Sequence, residues 1–252
     1  MNSEKIISVQ RGSYIPAKLY EKFAYAPLGI FIVGVSIIFL TRYIFYVFHP
    51  SYFDGRVPSI SKSAAYAPGS YLFCLGMIIV CVLIFITVAH VRNIYHTRIN
   101  RLTLNENERH HLLKLCNTGC SIGQSAGVFL ALLSIISLEV NDPIHIILSF
   151  LFFAGQNLAF VYDFFCTQKL NRYARAESGN TATLPGKGRA ILFVIITCLS
   201  LFYLFMFLTK DSNIYSDNYF AHQIFAITEY TWATLAFLYP ALYYPEIKKM
   251  FG

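Results

Sequence analysis

Six apolar runs, at about 26–47, 71–89, 115–138, 144–165, 190–209 and 220–245, decide what this chain can fold into. Each holds about 20 residues, which at a helical rise of about 1.5 Å covers a hydrocarbon core about 30 Å thick. Inside that core a backbone satisfies its own amides and carbonyls only as a helix or a closed barrel, and continuous runs of this length read as helices. Charged residues make up 13% of the 252, about half the share of a soluble domain. The expectation is an all-α fold, a polytopic transmembrane bundle of six helices. It forms a single domain over 1–252 with no separate soluble part.

The basic residues indicate the direction of threading. With both termini cytosolic, 16 of the 20 Lys and Arg residues fall in the lead 1–25, the connections 90–114 and 166–189, and the tail 245–252. Arg42, Arg56, Lys62 and Lys210 lie on the other side, together with the acids Asp54, Glu139, Asp142, Asp211 and Asp217. Both termini are therefore expected in the cytosol and the 49–70 loop in the lumen. The lead is polar throughout and lacks the apolar core of a signal peptide, so targeting falls to the first run. Threading accounts for the formal charge of +7, and no basic, aromatic-interleaved motif points to nucleic acid. The six cysteines sit in or beside apolar runs and read as small hydrophobes. Cys116 and Cys120 lack the two further ligands that a zinc ion would need.

No Gly-rich phosphate loop, H-E-x-x-H or G-x-S-x-G elbow is present. What stands out instead is polarity inside the spans. An ionised group near the bilayer centre costs about 2.5–3.5 kcal/mol on insertion scales, yet the last run carries Glu229. Helical spacing places His222, Ala226, Glu229, Ala233 and Ala236 on one face, combining two titratable groups with three small side chains. His145 and His222 stand within about a turn of the lumenal starts of the fourth and sixth helices. Each either ties down a loop or serves as a general base on a lipid or sugar hydroxyl. Glu229 either bonds Gln124, Gln156 or Asn157 across helices or takes part in chemistry.

The third helix carries Asn117, Ser121, Gln124 and Ser125 on one face, and the fourth carries His145, Ser149, Gln156 and Asp163. These two seams read as packing glue or as a substrate path. Asp163, near the cytosolic end, is expected to be solvated beside a base such as Lys169. Arg42 is expected to snorkel to the interface, the fifth helix to form a lipid-facing wall, and Tyr243 and Tyr244 to belong to an interfacial aromatic belt.

Two stretches have a family look: RVPSIS at 56–61, followed by YAPGSYLF, and IFAITEYTWA at 224–233. They resemble the six-span family that contains the damage-regulated autophagy modulators and the Golgi factor acting on GPI anchors after their attachment to proteins. The N-terminal membrane region of a yeast cell-wall protein that installs ceramide on GPI anchors belongs to the same family. The P-x-I-S loop and the E-Y pair are the shared elements, and F-A-I-x-E-Y is nearer the GPI-remodelling branch. The resemblance implies lipid remodelling of GPI-anchored proteins, by reacylation of lyso-GPI with a saturated fatty acid at the lumenal leaflet. The compartment implied is the Golgi membrane, with the ER membrane as the other candidate.

Residue by residue, the resemblance carries over to Pro58, Ser59, Ile60 and Ser61 in the loop, and to Glu229 and Tyr230 in the helix. Candidate catalytic groups are thus His222, Glu229 and His145. Candidate substrate-binding groups are Pro58, Ser59, Ser61, Gln124, Gln156 and Tyr230. No metal or cofactor is expected and the acyl donor stays open, while membrane lipids and GPI-anchored proteins are the expected partners. An acyl chain would lie along Ala226, Ala233 and Ala236. Two competing readings remain. One is a non-catalytic endomembrane lipid-binding or scaffold protein that regulates autophagy or traffic. The other is a proton-coupled solute carrier, which the lack of an internal repeat disfavours.

Overall fold

The computed structural model describes residues 23–52, 55–178, 186–209 and 218–251. The lead 1–22, Asp54, Lys210, Asp211 and Asp217, which enter the threading argument, lie outside the described residues. The described chain is helical: α1 (Ala26–Phe48), the four-residue α2 (Ile60–Ser63), α3 (Gly69–Arg101), α4 (Glu106–Ile135), α5 (Leu138–Ser178), α6 (Lys187–Thr209), α7 (Asn218–Ala241) and α8 (Tyr244–Phe251). No strand occurs among the described residues.

Five helices, α1, α3, α4, α5 and α6, are long and apolar enough to cross a membrane. The sixth, α7, has the length at 24 residues but is more polar. Its burial explains this. About half of its side chains are enclosed by other helices, Trp232 completely, so it needs less apolar surface than a helix facing lipid. The helices form a ring in which α1 packs on α3 and α7, α3 on α4, α4 on α5, and α7 on α6. The seam between α5 and α6 is the loosest in the ring. As expected of a wall helix, α6 buries few residues and exposes Ile191, Val194, Leu201 and Leu208.

The connections expected at 90–114 and 166–189 turn out to be mostly helix, because α3 runs on to Arg101, α4 begins at Glu106 and α5 continues to Ser178. The 33 residues of α3 make a rod about 50 Å long, so it extends past a hydrocarbon core. Two asparagines set the helix starts. The Asn105 side chain accepts the Glu108 N–H at 2.8 Å, with Glu106 and Glu108 in the favourable first turn of α4. Asn141, extended at φ −164°, interrupts α5 and accepts the Ile144 N–H at 3.1 Å. The main body of α5 therefore begins beside Pro143, where a missing N–H is harmless.

The tight α4–α5 pair depends on Gly119. A Cβ added there would lie 2.6 Å from Cβ of Tyr162, an atom held by the α5 backbone, whereas one added at Gly123 would meet nothing closer than 3.6 Å. Gly119→Ala is therefore expected to lower stability by about 1–3 kcal/mol, and Gly123→Ala to be tolerated. Thermal unfolding of the detergent-solubilised variants, followed by loss of the monodisperse peak, checks the contrast. Equal melting of the two variants would refute the close approach.

Candidate functional site

The two stretches that carry the family resemblance meet in space. The chain after α1 turns back toward the bundle, and its segment 55–63 is tied to α7 at four points. The Tyr219 hydroxyl donates to the Gly55 carbonyl at 2.8 Å, and the Val57 N–H donates to Oε1 of Gln223 at 3.1 Å. The Ile60 N–H donates to Oε2 of Glu229 at 2.8 Å, and the Ser63 and Tyr230 hydroxyls lie 3.3 Å apart. Ser59 caps the short helix, its Oγ accepting the Lys62 N–H at 3.1 Å. Glu229, 4% exposed, thus bonds a backbone amide of the loop rather than Gln124, Gln156 or Asn157. Asn157 instead accepts from Ser200 at 2.8 Å, and Ser200 accepts the Trp232 indole N–H at 2.6 Å. Gln223 and Tyr219 were not singled out from the sequence. Their spacing to Tyr230, four and then seven residues, placed all three on one helix face.

Arg42 is half-buried and has aromatic partners. Its guanidinium stands 5.1 Å from the ring centroid of Tyr230 and 5.5 Å from that of Tyr46, and it donates to the Tyr46 hydroxyl at 3.3 Å. Cation–π attraction gives this charge partners on its own helix and on α7.

His145 is 3% exposed and held from both sides. Its Nδ1 is 2.6 Å from the Ile136 carbonyl and its Nε2 is 3.0 Å from Oγ of Ser61. A carbonyl oxygen only accepts, so Nδ1 carries the proton. In the neutral ring, Nε2 then offers its lone pair to the Ser61 hydroxyl.

Beneath the docked loop lies a cleft of about 950 Å³. Pro58, Ser59, Ser61, His145, His222 and Glu229 all line it, as do the cationic side chains Arg56 and Lys62. Its walls descend between α5, α6 and α7 to Asn157 and Ser200. Phe150, Leu201, Leu204 and Leu208 line it too and are exposed at the surface, so the cleft opens sideways through the loose α5–α6 seam. Tyr230 sits behind the loop, outside the cleft lining, as a tether.

Gln124 and Gln156 are not brought to this cleft. Gln156 faces a separate, smaller cavity of about 90 Å³, and Asn117, Ser121 and Ser125 of the α4 seam line an outer groove against α5. Of the small-residue stripe only Ala226 reaches the cleft. Ala233 and Ala236 are packed in the core at 6% and 4% exposure, so the apolar wall available to a chain belongs to α5 and α6.

A second polar cluster, at the opposite end of the bundle, was not legible in advance. Asp163 is not solvated beside Lys169, whose ammonium lies 2.9 Å from His111. The Asp163 carboxylate accepts hydrogen bonds from Tyr95, Tyr239 and Tyr243, and lies 3.6 Å from Nε of Arg189. Arg189, 3% exposed, also pairs with Glu246 and stacks 3.7 Å from the Tyr243 ring centroid. Tyr243 is therefore a buried member of this cluster and not an interfacial belt residue. Among the described residues, no group of three or more His, Cys, Asp or Glu is placed to hold a metal ion.

A family model described as the Frag1/DRAM/Sfk1/Cwh43P N-terminal domain matches residues 22–250. The chain belongs to this family. No curated protein and no solved structure gives a significant match. Both motif stretches, 56–61 and 224–233, lie within the matched range of the Frag1/DRAM/Sfk1/Cwh43P model, and the hydrogen bonds above join them into one unit. With its five apolar helices, this family member is a multi-pass membrane protein.

Proposed function

We propose that this protein remodels the lipid of GPI-anchored proteins, transferring a saturated acyl chain onto the free hydroxyl of a lyso-GPI within the cleft beneath the 55–63 segment. The observation that carries this reading is the cleft itself. It joins an apolar, laterally open wall, suited to lipid chains, to a polar roof containing His145 and Ser61. Lipid access through the α5–α6 seam keeps the chains in hydrocarbon while the ester-forming oxygen reaches His145. In this reading both termini are cytosolic and the cleft opens to the lumenal leaflet, where GPI glycans and their proteins reside, in the Golgi or ER membrane. The basic residues on the extended ends of α3 and α5, including Arg98, Arg101 and Arg175, are consistent with that threading. Glu229 acts here as a clamp on the roof, since its oxygen is engaged by the Ile60 amide. His222 lines the lumenal part of the same cleft and faces the acceptor's polar end.

The test uses cells that lack their own GPI-reacylating activity, complemented with wild type or His145→Gln at equal abundance. Mass spectrometry of the anchors should find two saturated chains restored by wild type, and lyso-GPI persisting with the variant. Anchors left unchanged by abundant wild type would overturn the reading in favour of a non-catalytic lipid-binding or scaffold role.

A further inference from the structure

We infer that Ser61 is a nucleophile that carries the acyl chain as a covalent ester, with His145 as its general base and acid and a glycerophospholipid ester as the donor. The inference deepens the acyl-transfer reading and rests on it for the identity of the acceptor, but not for the covalent step.

Three observations converge. First, the geometry is that of an activated hydroxyl. Ser61 Oγ lies 3.0 Å from Nε2 of His145, and the Nδ1–H of the same ring is held at 2.6 Å by the Ile136 carbonyl. A serine is a weak nucleophile until a neighbouring base takes its proton, and the base needs a third group to fix its tautomer and orientation. The Ile136 carbonyl takes the place that a carboxylate occupies in the usual triad. Second, the hydroxyl is fixed and accessible together. Ser61 sits in α2, which the Ser59 cap, the Glu229–Ile60 bond and the Ser63–Tyr230 contact immobilise, yet Ser61 lines the cleft. Burial of His145 keeps its ring from turning away. Third, the surroundings suit an ester phospholipid. Arg56 and Lys62 at the roof match an anionic phosphate, and the exposed Leu201, Leu204 and Leu208 lead from the lipid-facing surface to the hydroxyl.

The chemistry balances without any oxidant, reductant or nucleotide. Ser61 Oγ attacks the ester carbonyl carbon of the donor as its proton passes to Nε2 of His145. The tetrahedral adduct collapses by breaking the bond to the glycerol oxygen, which takes that proton, and a lysophospholipid leaves. The acceptor hydroxyl then gives its proton to Nε2 and attacks the acyl carbonyl. The new ester forms, and the departing Ser61 Oγ recovers the proton.

The full chain in proteoliposomes is treated with a lipid-like fluorophosphonate, and the adduct is located by peptide mass spectrometry. In parallel, phosphatidylcholine labelled in its acyl chain is supplied without acceptor. The expected result is phosphonylation of Ser61 and an alkali-labile acyl group on the same peptide. Both should be lost in Ser61→Ala, lowered about 100-fold or more in His145→Gln, and kept in Ser121→Ala, whose side chain lines the outer groove between α4 and α5. Folded wild type that takes neither label overturns the proposal, as does a Ser61→Ala variant that transfers acyl chains at the wild-type rate. That second outcome would leave the acyl-transfer reading standing as a direct, one-step reaction. Label on Ser61 in a protein that leaves GPI lipids unchanged would support the nucleophile while removing the GPI acceptor.

Discussion

Glu229→Ala should release the 55–63 segment from α7 and cost acyl-transfer activity about 10-fold or more, whereas Glu229→Gln should retain most of it. The reason is the single bond that the carboxylate makes to the loop, from the Ile60 N–H at 2.8 Å. An alanine leaves that amide without an acceptor in a buried place, at about 1–3 kcal/mol, and each 1.4 kcal/mol is a tenfold change in an equilibrium. Glutamine keeps an acceptor oxygen of similar reach. Of the remaining ties, those from Tyr219 and Gln223 to Gly55 and Val57 hold the far end of the segment, which leaves the Ser63–Tyr230 hydroxyl contact at 3.3 Å as the one tie to α7 on the turn bearing Ser61. Loop release is measured independently of activity by the maleimide reactivity of Lys62→Cys. It should rise with Glu229→Ala and stay low with Glu229→Gln. A Glu229→Gln variant that is inactive while its loop stays protected would assign the carboxylate a proton-transfer role and contradict the clamp.

Asp163→Ala is expected to be among the most destabilising single changes in the chain. The substitution leaves the hydroxyls of Tyr95, Tyr239 and Tyr243 without their common acceptor and takes one of two carboxylates from a guanidinium that is 3% exposed. Removing one partner of a buried ion pair costs about 3–5 kcal/mol, and in a domain of this size each kcal/mol moves the midpoint by about 2–4 °C. A fall of about 10 °C or more in the detergent-solubilised melting temperature is therefore expected. Glu246→Gln should do less, because that carboxylate is more exposed, at 17%, and Arg189 keeps Asp163. The cluster ties α3, α5, α6, α7 and α8 together at the end away from the cleft, so Asp163→Asn should lower abundance without changing which lipid is used. Unaltered melting of Asp163→Ala would show that these bonds are not what holds that end of the bundle.

The bundle itself was legible from the apolar runs, because a helix in hydrocarbon must be both long and apolar. The ends were less so. The stretch HVRNIYHTRINR reads as a basic stop to the second span, opening a cytosolic connection for which helix at the membrane surface is one reading, and α3 continues through it unbroken to Arg101. Within the site, Ser61, Glu229 and Tyr230 were each marked by their motif and His145 by its place at a helix start. Their pairings were not marked, since these depend on how far a connecting loop folds back. The partner of Ser61 is 84 residues away and that of Ile60 is 169 residues away. Gln124 and Gln156 were grouped with the site because polarity at helical spacing says which residues share a face, but not which neighbour the face meets. The Asp163 cluster draws on five helices, and Arg189 and Tyr243, each taken alone, looked like ordinary residues of a membrane boundary.

The most direct test of the account is acyl transfer by the purified chain alone. The protein is reconstituted into liposomes of phosphatidylcholine with a labelled saturated chain and a lyso-GPI acceptor, and the acceptor is recovered and analysed by mass spectrometry. The account predicts labelled two-chain GPI from wild type and almost none from Ser61→Ala or His145→Gln. Folded wild type that yields no labelled GPI, while the same preparation restores anchors when expressed in deficient cells, would contradict it and make the protein an accessory to another enzyme.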